Sequence, residues 1–91
     1  MKYMIIHEMN EPWEENYEKV LKVEKERTKN GVGFSSKNMI TPMFISIAMP
    51  NKTFWVVDCE PEEIIRWSKD YQLLMKSKII PVMTREEWTQ A

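Results

Sequence analysis

Residues 42–59 read Pro42-Met43-Phe44-Ile45-Ser46-Ile47-Ala48-Met49-Pro50-Asn51-Lys52-Thr53-Phe54-Trp55-Val56-Val57-Asp58-Cys59. Two apolar runs, Phe44 to Met49 and Phe54 to Cys59, flank the turn-forming Pro50-Asn51-Lys52. Aromatic and β-branched residues suit strands, and a short Pro/Asn turn between them predicts an antiparallel hairpin. Working outward, Tyr3 to Met9 and Ile79 to Met83 are two further strand-like runs. Helical stretches lie between the first and second runs and between the third and fourth, so the predicted order is β-α-β-β-α-β. Pro42 opens the second run and Pro81 lies inside the fourth, whereas the first and third carry none. Proline cannot donate to a sheet ladder and is confined to edges, strand starts and bulges. In a ferredoxin-like sheet of order 4-1-3-2 the edges are strands 4 and 2, which are the two that hold proline. The expected class is therefore α+β, an antiparallel ferredoxin-like sheet with helices on one face.

The helices carry their own signals. Asn10-Glu11-Pro12 predicts a helix start, with Asn10 as cap and proline in the first turn. Trp13, Tyr17, Val20, Leu21 and Thr28 recur at helical spacing, and Asn30-Gly31 stops the helix with Gly31 in the left-handed conformation. Val32 to Lys37, with its second glycine and paired serines, reads as a loop. Glu60-Pro61-Glu62-Glu63 opens a second helix, whose stripe is Ile64, Trp67, Tyr71, Leu74 and Met75 and whose end is Lys76-Ser77-Lys78. Thr84 and Glu87 have capping-box spacing, so a short last helical turn is expected.

The chain of 91 residues is read as one domain, residues 1–91. Chains this short bury only about 60–65 % of their unfolded surface and gain from extra support. A single cysteine excludes an internal disulfide, and a single histidine with no His/Cys cluster argues against a metal cage. Self-association remains as the source of added burial. Thirteen basic and fourteen acidic residues give a net charge of −1, spread without long runs of either sign. That balance predicts neither nucleic acid nor a membrane surface as partner. The apolar opening is broken by His7 and Glu8 and is too short for a signal peptide or a span, and the lone thiol suits a reducing compartment, so a cytoplasmic setting is expected. The two glycines form no phosphate loop, no serine sits in a nucleophile elbow, and no cofactor is expected. Tyr3 and Phe54 imitate the stacking aromatics of RNA-recognition sheets, but the basic and glycine signature on strand 3 is missing.

Side chains alternate between the two faces of a strand. Sorting the runs gives one wholly apolar set for the helix side: Met4, Ile6, Ile45, Ile47, Met49, Trp55, Val57, Cys59, Ile80 and Val82. The other set holds Tyr3, Ile5, His7, Phe44, Ser46, Ala48, Phe54, Val56, Asp58, Ile79, Pro81 and Met83. That second face is too apolar to meet water, which predicts a homodimer packed sheet to sheet around a shared interior.

Three segments carry a family likeness: Met1-Lys2-Tyr3-Met4-Ile5, the strand-to-helix stretch Phe54-Trp55-Val56-Val57-Asp58-Cys59-Glu60-Pro61-Glu62, and Ile79-Ile80-Pro81-Val82-Met83-Thr84-Arg85-Glu86-Glu87. With the element order and the apolar second face, they resemble the dimeric α/β-barrel superfamily, and within it a small prokaryotic family of unknown function. The superfamily includes antibiotic-biosynthesis-type monooxygenases, muconolactone isomerases and haem-degrading enzymes. The resemblance implies the fold and the dimer rather than a reaction.

On the sorted faces, His7 points into the shared interior, where an imidazole could take a proton, and Asp58 on the neighbouring strand could complete a His-Asp pair. The bland alternatives are a hydrogen-bonded interface histidine and an aspartate that helps cap the second helix. Tyr3, Phe44, Ser46 and Phe54 would line the same interior as ligand contacts, or fill it. Trp13, Trp55 and Trp67 read as packing residues, and Cys59, with no activating base nearby, reads as inert. Two functions follow: binding of a small apolar or aromatic ligand with cofactor-independent monooxygenase- or isomerase-like chemistry, or a non-catalytic ligand-sensing, interaction or structural dimer.

Overall fold

Strand β1 (Lys2–Met9) runs antiparallel to both of its neighbours, β3 (Lys52–Asp58) and β4 (Met75–Val82), in the computed structural model, which describes residues 1–33, 38–49 and 51–91. A two-residue strand β2 (Phe44–Ile45) pairs with the far edge of β3, so the sheet order is β2-β3-β1-β4. Helices α1 (Trp13–Lys29) and α2 (Pro61–Tyr71) are the two crossovers, and α3 (Arg85–Gln90) follows the last strand. This is the α+β ferredoxin-like arrangement expected from the prolines. Pro81 lies on edge strand β4, opposite Tyr3. Of the predicted turns, Phe34 to Lys37 and Pro50 lie outside the described residues.

Local chemistry explains the element ends. Gly31 adopts φ 71°, the left-handed conformation that lets the chain leave α1 without a Cβ clash. At α3 the Thr84 hydroxyl accepts from Glu87 N at 3.0 Å, and Glu87 Oε1 accepts from Thr84 N at 3.2 Å, a complete capping box. Asn10 does not cap α1, whose N-cap is Pro12. Its amide instead donates to the Leu73 carbonyl at 3.3 Å and its backbone N–H to Leu74 at 2.9 Å, tying the end of β1 to the turn before β4.

Three elements differ in length from expectation: the second strand, α2, and β4, which starts at Met75 rather than Ile79. The second strand stops at Ile45 rather than Met49, because the Ser46 hydroxyl accepts from Met49 N at 3.2 Å and closes a local turn. Helix α2 ends at Tyr71, and Leu74 and Met75, read as the last helical stripe, belong to the turn and to β4, where Met75 pairs with Met9.

The largest correction concerns the faces. Register pairs Tyr3 with Val57, Ile5 with Trp55 and His7 with Thr53, and on the other side Ile5 with Ile79. Directly opposed residues share a face, so Tyr3, Ile5, His7, Ile79 and Pro81 lie with Trp55 and Val57, not with Phe54. Alternation within β1, β3 and β4 is as expected, but β1 and β4 join β3 one residue out of the expected phase. Both faces of β1 are apolar, so hydrophobicity could not set the phase.

The helix-side residues make the core. Ile5 and Val57 are fully buried, and Tyr3, Trp55 and Cys59 pack with Ile64, Trp67 and Tyr71 of α2 and Val20 of α1. Trp67 anchors this layer, with its ring centroid 6.4 Å from Trp55 and 5.1 Å from Tyr71. The opposite face carries Met4, Ile6, Phe54, Val56, Ile80 and Val82, with Phe44 stacked on Phe54 at 5.0 Å. Lys2, Glu8, Lys52, Asp58, Lys76 and Lys78 sit on that face towards its ends and edge.

Candidate functional site

A stripe on α1 that is only partly buried leaves room beneath it. Of the residues expected to face the sheet, Val20 is buried, but Tyr17 is 54 % exposed and Leu21 is 45 % exposed. Between α1, α2 and the helix side of the sheet lies a cavity of about 430 Å³. His7, Met9, Thr53, Trp55 and Met75 form its floor, Val20, Leu21, Glu24 and Arg27 one wall, and Trp67 and Tyr71 the other. Met39, Met43, Ile45 and Asn51 close the side nearest β2, and the half-exposed Tyr17, Leu21 and Met43 mark its mouth. The lining is mostly apolar and aromatic with a few polar groups turned to it, the usual make-up of a small-molecule site. A second hollow, beside Glu11 to Glu15, is walled by five consecutive exposed residues and brings no separate elements together.

His7 is the centre of the floor. It is 7 % exposed, and its ring centroid stands 6.0 Å from that of Trp67. Burial pushes its pKa down to about 4, so the imidazole is neutral at neutral pH. Thr53 Oγ1 lies 2.6 Å from Nε2 and 2.8 Å from Nδ1. A hydroxyl there can donate to the bare nitrogen or accept from the protonated one. Asn51, 8 % exposed, donates from Nδ2 to Glu8 Oε1 at 3.4 Å. Its Oδ1 is buried with no hydrogen-bond partner among the described residues.

The cation of the wall is paired. Arg27, 5 % exposed, is ion-paired with Asp70 and donates from Nη2 to the Val32 carbonyl at 2.9 Å. Its guanidinium carbon is 5.9 Å from the centroid of Tyr71. Burial drives the Tyr71 phenol up to about 12, and burial also raises the Glu24 carboxyl above the usual range. The cavity thus presents the neutral His7, Asn51, Thr53 and Tyr71, with Arg27 paired to Asp70 and the exposed Glu24 carboxyl beside them.

The sequence-predicted site residues are not gathered in one place. His7 lines the cavity, but the expected His7–Asp58 pair is not formed. His7 lies opposite Thr53 beneath the helices, whereas Asp58 lies opposite Lys2 at the other end of β3 and on the other face. Asp58 Oδ1 accepts from the Met1 amino group at 3.1 Å, and the α2 N-cap, Glu60, makes no side-chain cap bond. Tyr3 is buried beneath the helices and donates its hydroxyl to Met1 Sδ at 3.3 Å. Phe44 and Phe54 stack on the helix-free face, and Ser46 serves the β2 turn. None of these five is among the walls of the cavity. Cys59 is buried and its thiol pushed up, first by burial and then by Glu63.

Asn51, Thr53, Glu24, Arg27 and Tyr71 line the cavity without any sequence signal that marks them as site residues. Thr53 becomes the partner of His7 only once the register between β1 and β3 is known. Among the described residues no group of three His, Cys, Asp or Glu side chains could hold a metal ion, and no helix is long and apolar enough to cross a membrane.

A family model described as a domain of unknown function, DUF3303, matches residues 1–91, and the chain belongs to that family. No curated protein matches the chain.

Proposed function

We propose that this DUF3303 domain binds a small, largely apolar or aromatic molecule in the cavity beneath its helices. The observation that carries this reading is the convergence of His7, Asn51, Thr53 and Tyr71 on a space of about 430 Å³ floored by Trp55 and walled by Trp67. Aromatic and methionine walls give affinity through area removed from water and adapt to irregular shapes. Binding is favoured over proton transfer because an imidazole with a pKa near 4 is a weak base at neutral pH and lacks an orienting carboxylate. The site therefore lies within one subunit rather than between two sheets.

A homodimer is the second part of the proposal. The helix-free face has an apolar centre of Met4, Ile6, Phe44, Phe54, Val56, Ile80 and Val82 with charges of both signs around it. A two-fold contact of that face with its copy can bury the centre and set lysines against Glu8 and Asp58.

The test uses N-phenyl-1-naphthylamine, a neutral dye that brightens in apolar pockets. The wild-type protein is expected to enhance its fluorescence saturably. Met43→Trp, which adds bulk at the mouth, is expected to weaken binding about tenfold while leaving the circular dichroism unchanged. No enhancement, or enhancement that Met43→Trp leaves alone, counts against a site in this cavity.

A further inference from the structure

Among the described residues, Glu24 is the one acidic side chain in the walls of the cavity. Tyr17, Leu21, Glu24 and Thr28 recur at helical spacing on α1 and are exposed, whereas Val20 and Arg27 on the same helix are buried. The Glu24 carboxylate therefore stands at the mouth, in line with Tyr17 and Leu21. Its charge also reaches the facing wall: the Tyr71 phenol is raised first by its own burial and next by Glu24.

No side chain answers this charge. Among the described residues Glu24 forms no ion pair. Its neighbours one helical turn away are Val20, Leu21, Arg27 and Thr28, of which only Arg27 is charged. Arg27 is engaged by Asp70 and the Val32 carbonyl. The charges of Arg27 and Asp70 offset each other, so the lining keeps the negative charge of Glu24. Burial raises this carboxyl, with no cation to draw it back down.

Ligands of different charge fare differently here. An anion meets Glu24 at the mouth and finds Arg27 already taken. A neutral molecule strips water from the carboxylate without offsetting its charge. A cation pairs with it. Because Glu24 is exposed, an ammonium at the mouth keeps part of its water and avoids the full cost of burying a charge. The apolar remainder of such a molecule meets Trp55, Trp67 and Tyr71 further in.

We propose that the ligand is an amphiphilic cation, with a flat aromatic body beneath the helices and a protonated amine that pairs with Glu24 at the mouth. The inference rests on the binding reading given above and narrows it: Glu24 is a specificity-determining residue that favours amines over alcohols and acids of the same shape.

Isothermal titration of the full chain at neutral pH and low ionic strength with three two-ring compounds tests this. They are 1-naphthylmethylammonium, 1-naphthalenemethanol and 1-naphthoate. The ammonium is expected to bind about fivefold more tightly than the alcohol, the scale of a partly exposed ion pair, and the carboxylate more weakly than either. Glu24→Gln keeps the size of the side chain and is expected to erase the preference for the ammonium while leaving the affinity for the alcohol unchanged. Glu26→Gln removes the same charge from an exposed position on α1 outside the cavity and is expected to keep the preference. Equal binding of ammonium and alcohol by the wild-type protein, or tighter binding of the carboxylate, overturns the amine rule but leaves the cavity as a binding site. A preference that survives Glu24→Gln, or that Glu26→Gln abolishes equally, overturns the role of Glu24. Binding of none of the three overturns the binding reading itself and this inference with it.

Discussion

His7 of β1 and Thr53 of β3 stand opposite each other in the sheet, with Thr53 Oγ1 2.6 Å from one ring nitrogen and 2.8 Å from the other. This hydroxyl keeps a neutral imidazole hydrogen-bonded in a space lined mostly by apolar and aromatic side chains. Thr53→Val preserves shape and removes the hydroxyl. It is expected to cost about 1–2 kcal/mol in urea unfolding, the penalty of leaving a buried polar group unmet. A change below about 0.5 kcal/mol would show that the contact adds nothing.

The buried imidazole also sets a pH dependence. An unfolded histidine takes up its proton near 6.5, whereas folded His7 resists until about 4. Between those values the unfolded state binds more protons, so stability rises with pH across the window and levels off above it. The contribution present at pH 7 and lost on acidification is on the order of 2–3 kcal/mol. His7→Gln is expected to flatten this part of the curve. The raised Glu24 carboxyl acts with the opposite sign, since its neutral form is favoured by folding, but it is common to both proteins and cancels in their difference. Urea midpoints measured from pH 4 to 7 for the two proteins check this, and parallel curves would contradict it.

Phe54 lies in the middle of the helix-free face, stacked on Phe44 and 39 % exposed. A lysine there places a charge at the centre of the proposed two-fold contact. The wild-type chain is expected to be a dimer by light scattering at micromolar concentration, and Phe54→Lys to be a monomer with unchanged circular dichroism. A wild-type monomer would remove the dimer from the proposal without touching the cavity.

The capping box of α3 makes a local prediction. Glu87 is held down to about 2, chiefly by its hydrogen bond from Lys2 at 2.8 Å and next by Thr84. This ties an exposed helix to the start of β1, and the tie is present above pH 4.5 and lost as pH falls through 2. Thr84→Ala is expected to speed hydrogen exchange of the α3 amides, through loss of about 1 kcal/mol of local stability, with little change in the global midpoint. A large shift of the global midpoint would mean that α3 supports the core after all.

Much of the architecture was legible because its signals are local. Proline on the edge runs, Gly31 after α1 and Thr84 with Glu87 each act within a few residues, and each took its expected place. The candidate site was not legible in the same way, because it depends on phase between strands. Tyr3, Ile5 and His7 could face either side while Met4 and Ile6 were equally apolar, and one step of register moved the only histidine from a proposed interface to the core. Asn51 reads as a turn residue, and Arg27 falls outside the apolar stripe read on the first helix. Their burial arises from how α1 and the β2 segment meet, which no short stretch encodes. Asp58 kept its predicted face, yet register set it at the far end of β3 from His7.

The most direct measurement is a two-dimensional NMR titration of the isotope-labelled chain with 1-naphthol, following the His7 imidazole and Asn51 amide side-chain signals. Saturable shifts at His7, Asn51 and the indole of Trp67, with Phe44 and Phe54 unmoved, are the predicted result. Shifts centred on Met4, Ile6 and Phe54, or none at any ratio of ligand to protein, would contradict a binding site beneath the helices.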